Sequence, residues 1–161
     1  MVQGGECAEF DWGRNTKTLN MIPHFDNDGD LLHGIHQTTW QEFQSRYCIF
    51  ALTDRRLKLC EAIEQLVIAA RASIIVEQLI FAGSFVTSKE EPNDFDAIII
   101  FQSSVDVTML APFQLDLVDG TRAKRRFGGD LFPIRSGTTR VSNVLSFFSI
   151  TGWESQSVWW R

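Results

Sequence analysis

Apolar positions along this chain recur at helical spacing as far as Ala70 and then, from Ile74, gather into continuous runs. Leu57, Cys60, Ile63, Leu66, Val67 and Ala70 form one stripe, with Arg55, Arg56, Lys58, Glu61 and Glu64 opposite. That pattern predicts a long amphipathic helix, capped by Thr53 or Asp54. Upstream, Thr39-Trp40-Gln41-Glu42 fits a capping box and predicts a short helix to about Tyr47 that buries Trp40 and Phe43. After Ile74, β-branched and aromatic residues predict a strand over 77–82 that ends at Gly83, with a helical turn from Ser84. A second strand is predicted over 94–101. Beyond its acidic start it is apolar on both faces, which implies a central strand covered on each side.

Further on, residues 105–118 predict one or two short helices around Pro112, and Thr121 to Phe127 another. A third strand is expected over 129–134. Pro133 cannot donate to a ladder, so this strand belongs at an edge or ends there. Val141, Val144, Leu145 and Phe148 predict a packing helix over 139–148. Trp153, Trp159 and Trp160 make the tail too apolar to hang free, and imply a final strand or a homo-oligomer through this aromatic C-terminus. Residues 1–20 are polar and unpatterned. The expected organisation is a flexible arm over 1–20 and a single domain over 21–161.

Composition narrows the function classes. Thirteen Phe and five Trp predict a core built around rings. A net charge of −5 argues against a protein that coats nucleic acid through clustered cations. Cys7, Cys48 and Cys60 have no metal-ligand spacing and are odd in number, so free thiols in a reducing cytosol are expected. The most apolar stretch, Leu66 to Ala82, contains Arg71, Glu77 and Gln78 and predicts no membrane span. No secretory pattern opens the chain, and the expected compartment is cytoplasmic. Asp26-Asn27-Asp28-Gly29-Asp30 lacks the glycine and the bidentate Glu of a calcium loop and predicts a turn.

Candidate chemistry concentrates in residues 83–96. Gly83-Ser84 follows one strand, nine residues intervene, and Asp94 and Asp96 open the next. A glycine turn can offer backbone N–H groups to an anion. Carboxylates at i and i+2 of a strand share a face and can share a cation. Two such anions repel one another unless a cation neutralises them. Lys89, in the connecting loop, is within reach of a phosphate as a point charge. Arg122, Lys124, Arg125 and Arg126 form the densest basic run, read as a solvated helix face. His24, His33 and His36 share no helix face and are read as turn or packing residues.

Gly83-Ser-Phe-Val-Thr-Ser-Lys-Glu-Glu-Pro-Asn-Asp-Phe-Asp resembles the signature of the polymerase-β-like nucleotidyltransferase superfamily, a Gly-Ser turn and a carboxylate-x-carboxylate strand. It is most similar to a small, poorly characterised bacterial branch. Gly34-Ile35-His36, Thr39 to Phe43, and Gly129-Asp130-Leu131-Phe132-Pro133 extend the similarity over roughly residues 20–150. The resemblance implies an α/β (α+β) fold, a small mixed sheet with helices packed around it. It implies nucleotide binding at Gly83 and Ser84, to which the loop cation Lys89 is added as a candidate, and Mg2+ or Mn2+ held by Asp94, Asp96 and a third carboxylate. Asp130 fills that third role ahead of Asp106, Asp116 and Asp119, because an apolar strand follows it. The implied activity is transfer of a nucleoside monophosphate from a nucleoside triphosphate to an acceptor: protein, RNA or small molecule. The rival expectation is a non-catalytic, antitoxin-like binding module of the same fold; a third is nucleotide hydrolysis.

Overall fold

A computed structural model of the protein describes residues 22–32, 34–49, 53–139 and 157–160. Helix α1 (Trp40–Tyr47) begins where the capping box predicts, with the Thr39 hydroxyl accepting the Glu42 N–H at 3.2 Å. The reciprocal half of the box is absent. The Glu42 carboxylate instead accepts from the Thr38 hydroxyl at 2.8 Å and the Ile22 N–H at 2.6 Å. Phe43 and Tyr47, one turn apart, are the buried residues of α1, while Trp40 is half-buried and stacks on Phe43.

Thr53 caps helix α2 (Asp54–Ser73) by accepting the Arg56 N–H. Its stripe from Cys60 to Ala70 is buried as expected, but its first turn departs from the pattern. Leu57 is exposed and Arg56 is buried. The physical reason is that this turn lies against the 85–89 loop. Arg56 donates there to the carbonyls of Phe85 at 3.1 Å, Thr87 at 3.3 Å and Lys89 at 2.5 Å. It also donates to the Tyr47 carbonyl at 3.3 Å and lies over the Phe85 ring. A second departure is close by. Cys48 and Cys60, expected as free thiols, form a disulfide, because α1 and α2 meet with the two Cα atoms 5.8 Å apart.

The sheet has strand order β1-β5-β2-β3-β4. The strands are β1 (Ile35–Thr38), β2 (Val76–Ala82), β3 (Asp96–Phe101), β4 (Asp130–Arg135) and β5 (Ser157–Trp160). Neighbours β1/β5 and β3/β4 are parallel; β5/β2 and β2/β3 are antiparallel. With its helices this is the mixed α+β architecture that the sequence pattern predicts. All six residues of β3 are buried. Ala97 and Ile99 join the main core with Leu66, Phe43 and Leu117, whereas Ile98 and Ile100 join Ile80 and Ile134 on the opposite face. Pro133 sits in β4, an edge strand, where its missing N–H leaves no gap between neighbours.

Helix α3 (Pro112–Val118) and helix α4 (Gly120–Phe127) lead into β4. The aromatic tail does supply a final strand, β5, seated between β1 and β2. The arm over 1–20, the helix over 139–148, Trp153 and His33 fall outside the described residues, apart from Thr139 at that helix's start. Among the described residues no helix is long and apolar enough to cross a membrane.

Arg56 holds four carbonyls and has no carboxylate partner among the described residues, so its removal strands buried acceptors. Arg56→Met is expected to cost about 2–4 kcal/mol in urea unfolding. A loss below about 0.5 kcal/mol, the size of an ordinary surface change, would contradict the clamp.

Candidate functional site

The strand pairing builds the site. Ala82 pairs with Asp96 across β2/β3, and Asp96 pairs with Asp130 across β3/β4. Directly paired residues point to the same face, at a strand spacing of about 4.8 Å. The end of β2 and the starts of β3 and β4 therefore meet at one end of the sheet. Immediately after Ala82 the chain turns through Gly83, at φ 75°, into a 3-10 turn over Gly83–Val86. The Ser84 carbonyl closes that turn by accepting the Thr87 hydroxyl at 2.8 Å and its N–H at 3.4 Å.

The sequence pattern predicts both Asp94 and Asp96 on the strand, and the structure corrects this. β3 begins at Asp96, leaving Asp94 exposed in the loop. Phe95 lies between them, fully buried, and its carbonyl accepts the Asp130 N–H at 2.9 Å. That packing demands a glycine next door. A side chain on Gly129, at φ 25°, would put its Cβ 2.6 Å from the Phe95 oxygen. The Gly-Gly before Asp130 thus lets β4 close onto the loop that carries Asp94.

Electrostatics link the three carboxylates. The Asp96 carboxyl is pushed up from 3.8 to about 6, first by burial, then by the negative charges of Asp94 and Asp130. Lys124 opposes the shift. This lysine, in the last turn of α4, donates to the Asp130 carboxylate. That bond and Asp130's charge raise its own pKa, with smaller contributions from Asp94 and Asp96. Lys124 is the site residue that the sequence reading misses, having assigned it to a solvated face. Its signal was a cation three residues before the helix-ending Phe127, followed by Gly-Gly-Asp.

Two other members of the basic run have local work. Arg122 and Arg126 both pair with Asp116, at 3.0 and 3.5 Å. Asp119 caps α4 by accepting from the N–H groups of Thr121 and Arg122. Asp106 likewise accepts from Thr108 at the start of a 3-10 turn. Asp130 is therefore the one of the four candidate third carboxylates that shares a row with Asp96. Lys89 lies elsewhere. It is exposed, lines a cleft with Arg46 and Arg56, and is absent from the charges that shift Asp96. His36 is occupied with the Leu32 carbonyl at 2.8 Å.

Three carboxylates acting on one another, one of them buried, are hard oxygen donors carrying more negative charge than Lys124 offsets. That donor set suits Mg2+ or Mn2+. Among the described residues, however, no group of three or more His, Cys, Asp or Glu side chains is already gathered as a metal cage. Asp130 is turned to Lys124 instead, so a divalent cation would have to compete with that ammonium.

Fold and site together define an α+β domain with an acidic, partly buried end on its sheet. The chain belongs to a family of unknown function (DUF6932), whose model matches residues 23–159. No curated protein and no solved structure matches it.

Because the folded Asp96 holds its proton up to about 6 while the unfolded chain releases it near 3.8, the folded state binds more protons in that window. Stability from this group is full below the window and lost as pH rises through it. Asp96→Asn is expected to flatten that fall and, in EDTA at pH 7, to stabilise the protein by about 2 kcal/mol. Parallel unfolding curves for the two proteins from pH 4 to 7, read as ~pH-independent differences, would contradict it.

Proposed function

We propose that this protein is a divalent-metal-dependent nucleotidyltransferase of the polymerase-β-like kind, moving a nucleoside monophosphate from a nucleoside triphosphate to a hydroxyl acceptor. The observation that carries the reading is the row formed by Ala82, Asp96 and Asp130, with the Gly83 turn at its end. It sets a turn capable of holding phosphate beside carboxylates whose mutual repulsion calls for a cation. Asp94, Asp96 and Asp130 would hold Mg2+ or Mn2+, and the Gly83-Ser84 turn would hold the phosphates. A divalent cation, when bound, would supply charge neutralisation for the phosphates and the departing pyrophosphate.

The protein's own groups would do the rest. Asp130 orients the acceptor hydroxyl and takes its proton as the oxygen bonds to the α-phosphorus. The bond from that phosphorus to the bridging oxygen breaks, and pyrophosphate leaves with the electron pair. Lys124, which donates to Asp130, would stand beside the site as a cation for the polyphosphate. Lys89 faces the other cleft and is left out of this scheme.

One observation favours the second reading, a non-catalytic binding module of the same fold. The Lys124–Asp130 pair neutralises the third carboxylate internally, without any metal. Incubation with each α-labelled nucleoside triphosphate and Mg2+ or Mn2+ separates the readings. Transfer predicts labelled acceptor, or labelled protein, plus pyrophosphate, with Asp96→Asn lowering the rate at least about a hundredfold while the variant stays folded. Release of free nucleoside monophosphate alone would indicate hydrolysis. Equal product from the variant and the natural sequence would overturn the proposal, and binding without product would favour the module.

A further inference from the structure

A second cleft, of about 230 Å³, opens between α1, the first turn of α2 and the loop after the glycine turn. Phe25, Arg46, Tyr47, Arg56, Thr87 and Lys89 are among its walls. It borders the main core rather than the carboxylates. Tyr47 packs on Phe43 and Phe85, which belong to that core, whereas Asp96 shares the other face with Ile98. The two sites are therefore on opposite sides of the sheet.

The charge balance of this cleft is unusual in a protein of net charge −5. Arg46, Arg56 and Lys89 contribute three cations, against the single carboxylate of Glu90. Among the described residues no carboxylate is paired with any of the three. Arg56 is spent on backbone carbonyls, which carry no net charge to balance it. Two side-chain donors belonging to the walls, the Arg46 Nε and the Tyr47 hydroxyl, are also buried with no acceptor among the described residues. Orphaned buried donors are uncommon and each costs about 1–3 kcal/mol. Arg46 is held by the ring of Phe25, 4.2 Å from its guanidinium carbon, a contact that leaves its edge available for planar hydrogen bonding.

We propose that this cleft binds a phosphate group, either free or as a monoester, through Arg46, Lys89 and Tyr47, with Arg56 supplying fixed positive charge behind them. A phosphate group carries about 1.5 to 2 negative charges at neutral pH and accepts from several directions, which fits three cations better than one planar carboxylate does. Both orphaned donors belong to residues that line the cleft. Burial drives the Tyr47 phenol well above its ordinary pKa, so its hydroxyl remains a donor throughout the neutral range. The aromatic wall at Phe25 gives a monoester's organic part a surface to rest on. This site is independent of the carboxylate row and of the activity proposed for it.

Isothermal titration in EDTA, at ionic strength held constant with chloride, tests the proposal with two probes, inorganic phosphate and phenyl phosphate. Saturable binding of at least one is expected, weakened about tenfold or more by Arg46→Gln. Lys89→Gln, an exposed loop change that leaves folding intact, should weaken it several-fold, whereas Asp96→Asn should leave it within about twofold. Tighter binding of phenyl phosphate would assign the site to monoesters; tighter inorganic phosphate would assign it to the free ion. The proposal is overturned by no saturable binding of either probe, by binding that neither Arg46→Gln nor Lys89→Gln changes, or by binding that Asp96→Asn abolishes.

Discussion

Burial of β3 on both faces is the constraint on which the rest of the molecule depends. A strand with apolar neighbours above, below and on each edge cannot slip by one residue without inverting every side chain. Its register against β2 and β4 is therefore fixed, and so is the place of its first residue. Asp96 is carried inward by the isoleucines that follow it. A carboxyl held in that way loses hydration, and its neighbours Asp94 and Asp130 add like charge. The acidic end of the sheet is thus a consequence of packing before it is anything chemical. Lys124 relieves part of the resulting charge from the last turn of α4.

A second anchor governs the loop between the glycine turn and the carboxylates. Arg56 gathers the carbonyls of Phe85, Thr87 and Lys89 and ties them to the end of α1 through Tyr47. This fixes where the chain leaves the Gly83 turn. Because the clamp uses no carboxylate, it leaves an uncompensated cation at the base of a cleft, and the Cys48–Cys60 disulfide braces the same junction of α1 and α2. One buried arginine accordingly has two effects. It orders the loop that leads to Asp94, and it makes the cleft on the far side of the sheet electropositive.

Most of the architecture was legible in the chain because each element announces itself locally. Thr39 and Thr53 cap helices through short-range bonds, the run Ala97 to Phe101 has no polar face, and Pro133 restricts its strand to an edge. What stayed illegible depends on contacts between distant segments. Arg56 lies on the polar side of its helical pattern, and only the approach of the 85–89 loop turns that side inward. Cys48, just past the end of α1, and Cys60 of α2 come together only in the folded chain. Lys124 reads as one cation of a solvated run until the Gly128-Gly129 turn folds β4 back and delivers Asp130 to it. The mutual repulsion of the carboxylate pair was legible but its geometry was misjudged, since Asp94 belongs to the loop and acts on Asp96 through charge rather than through shared strand alternation.

Whether this crowded carboxylate group takes the divalent cation proposed for it is decided by Mn2+ titration followed by electron paramagnetic resonance. The expected result is loss of the free-ion signal with a stoichiometry of about one per chain, tightened by Lys124→Gln and abolished by Asp96→Asn. An undiminished free Mn2+ signal in the natural sequence and in Lys124→Gln alike would contradict it, and would leave the row of carboxylates a structural feature held by Lys124 alone.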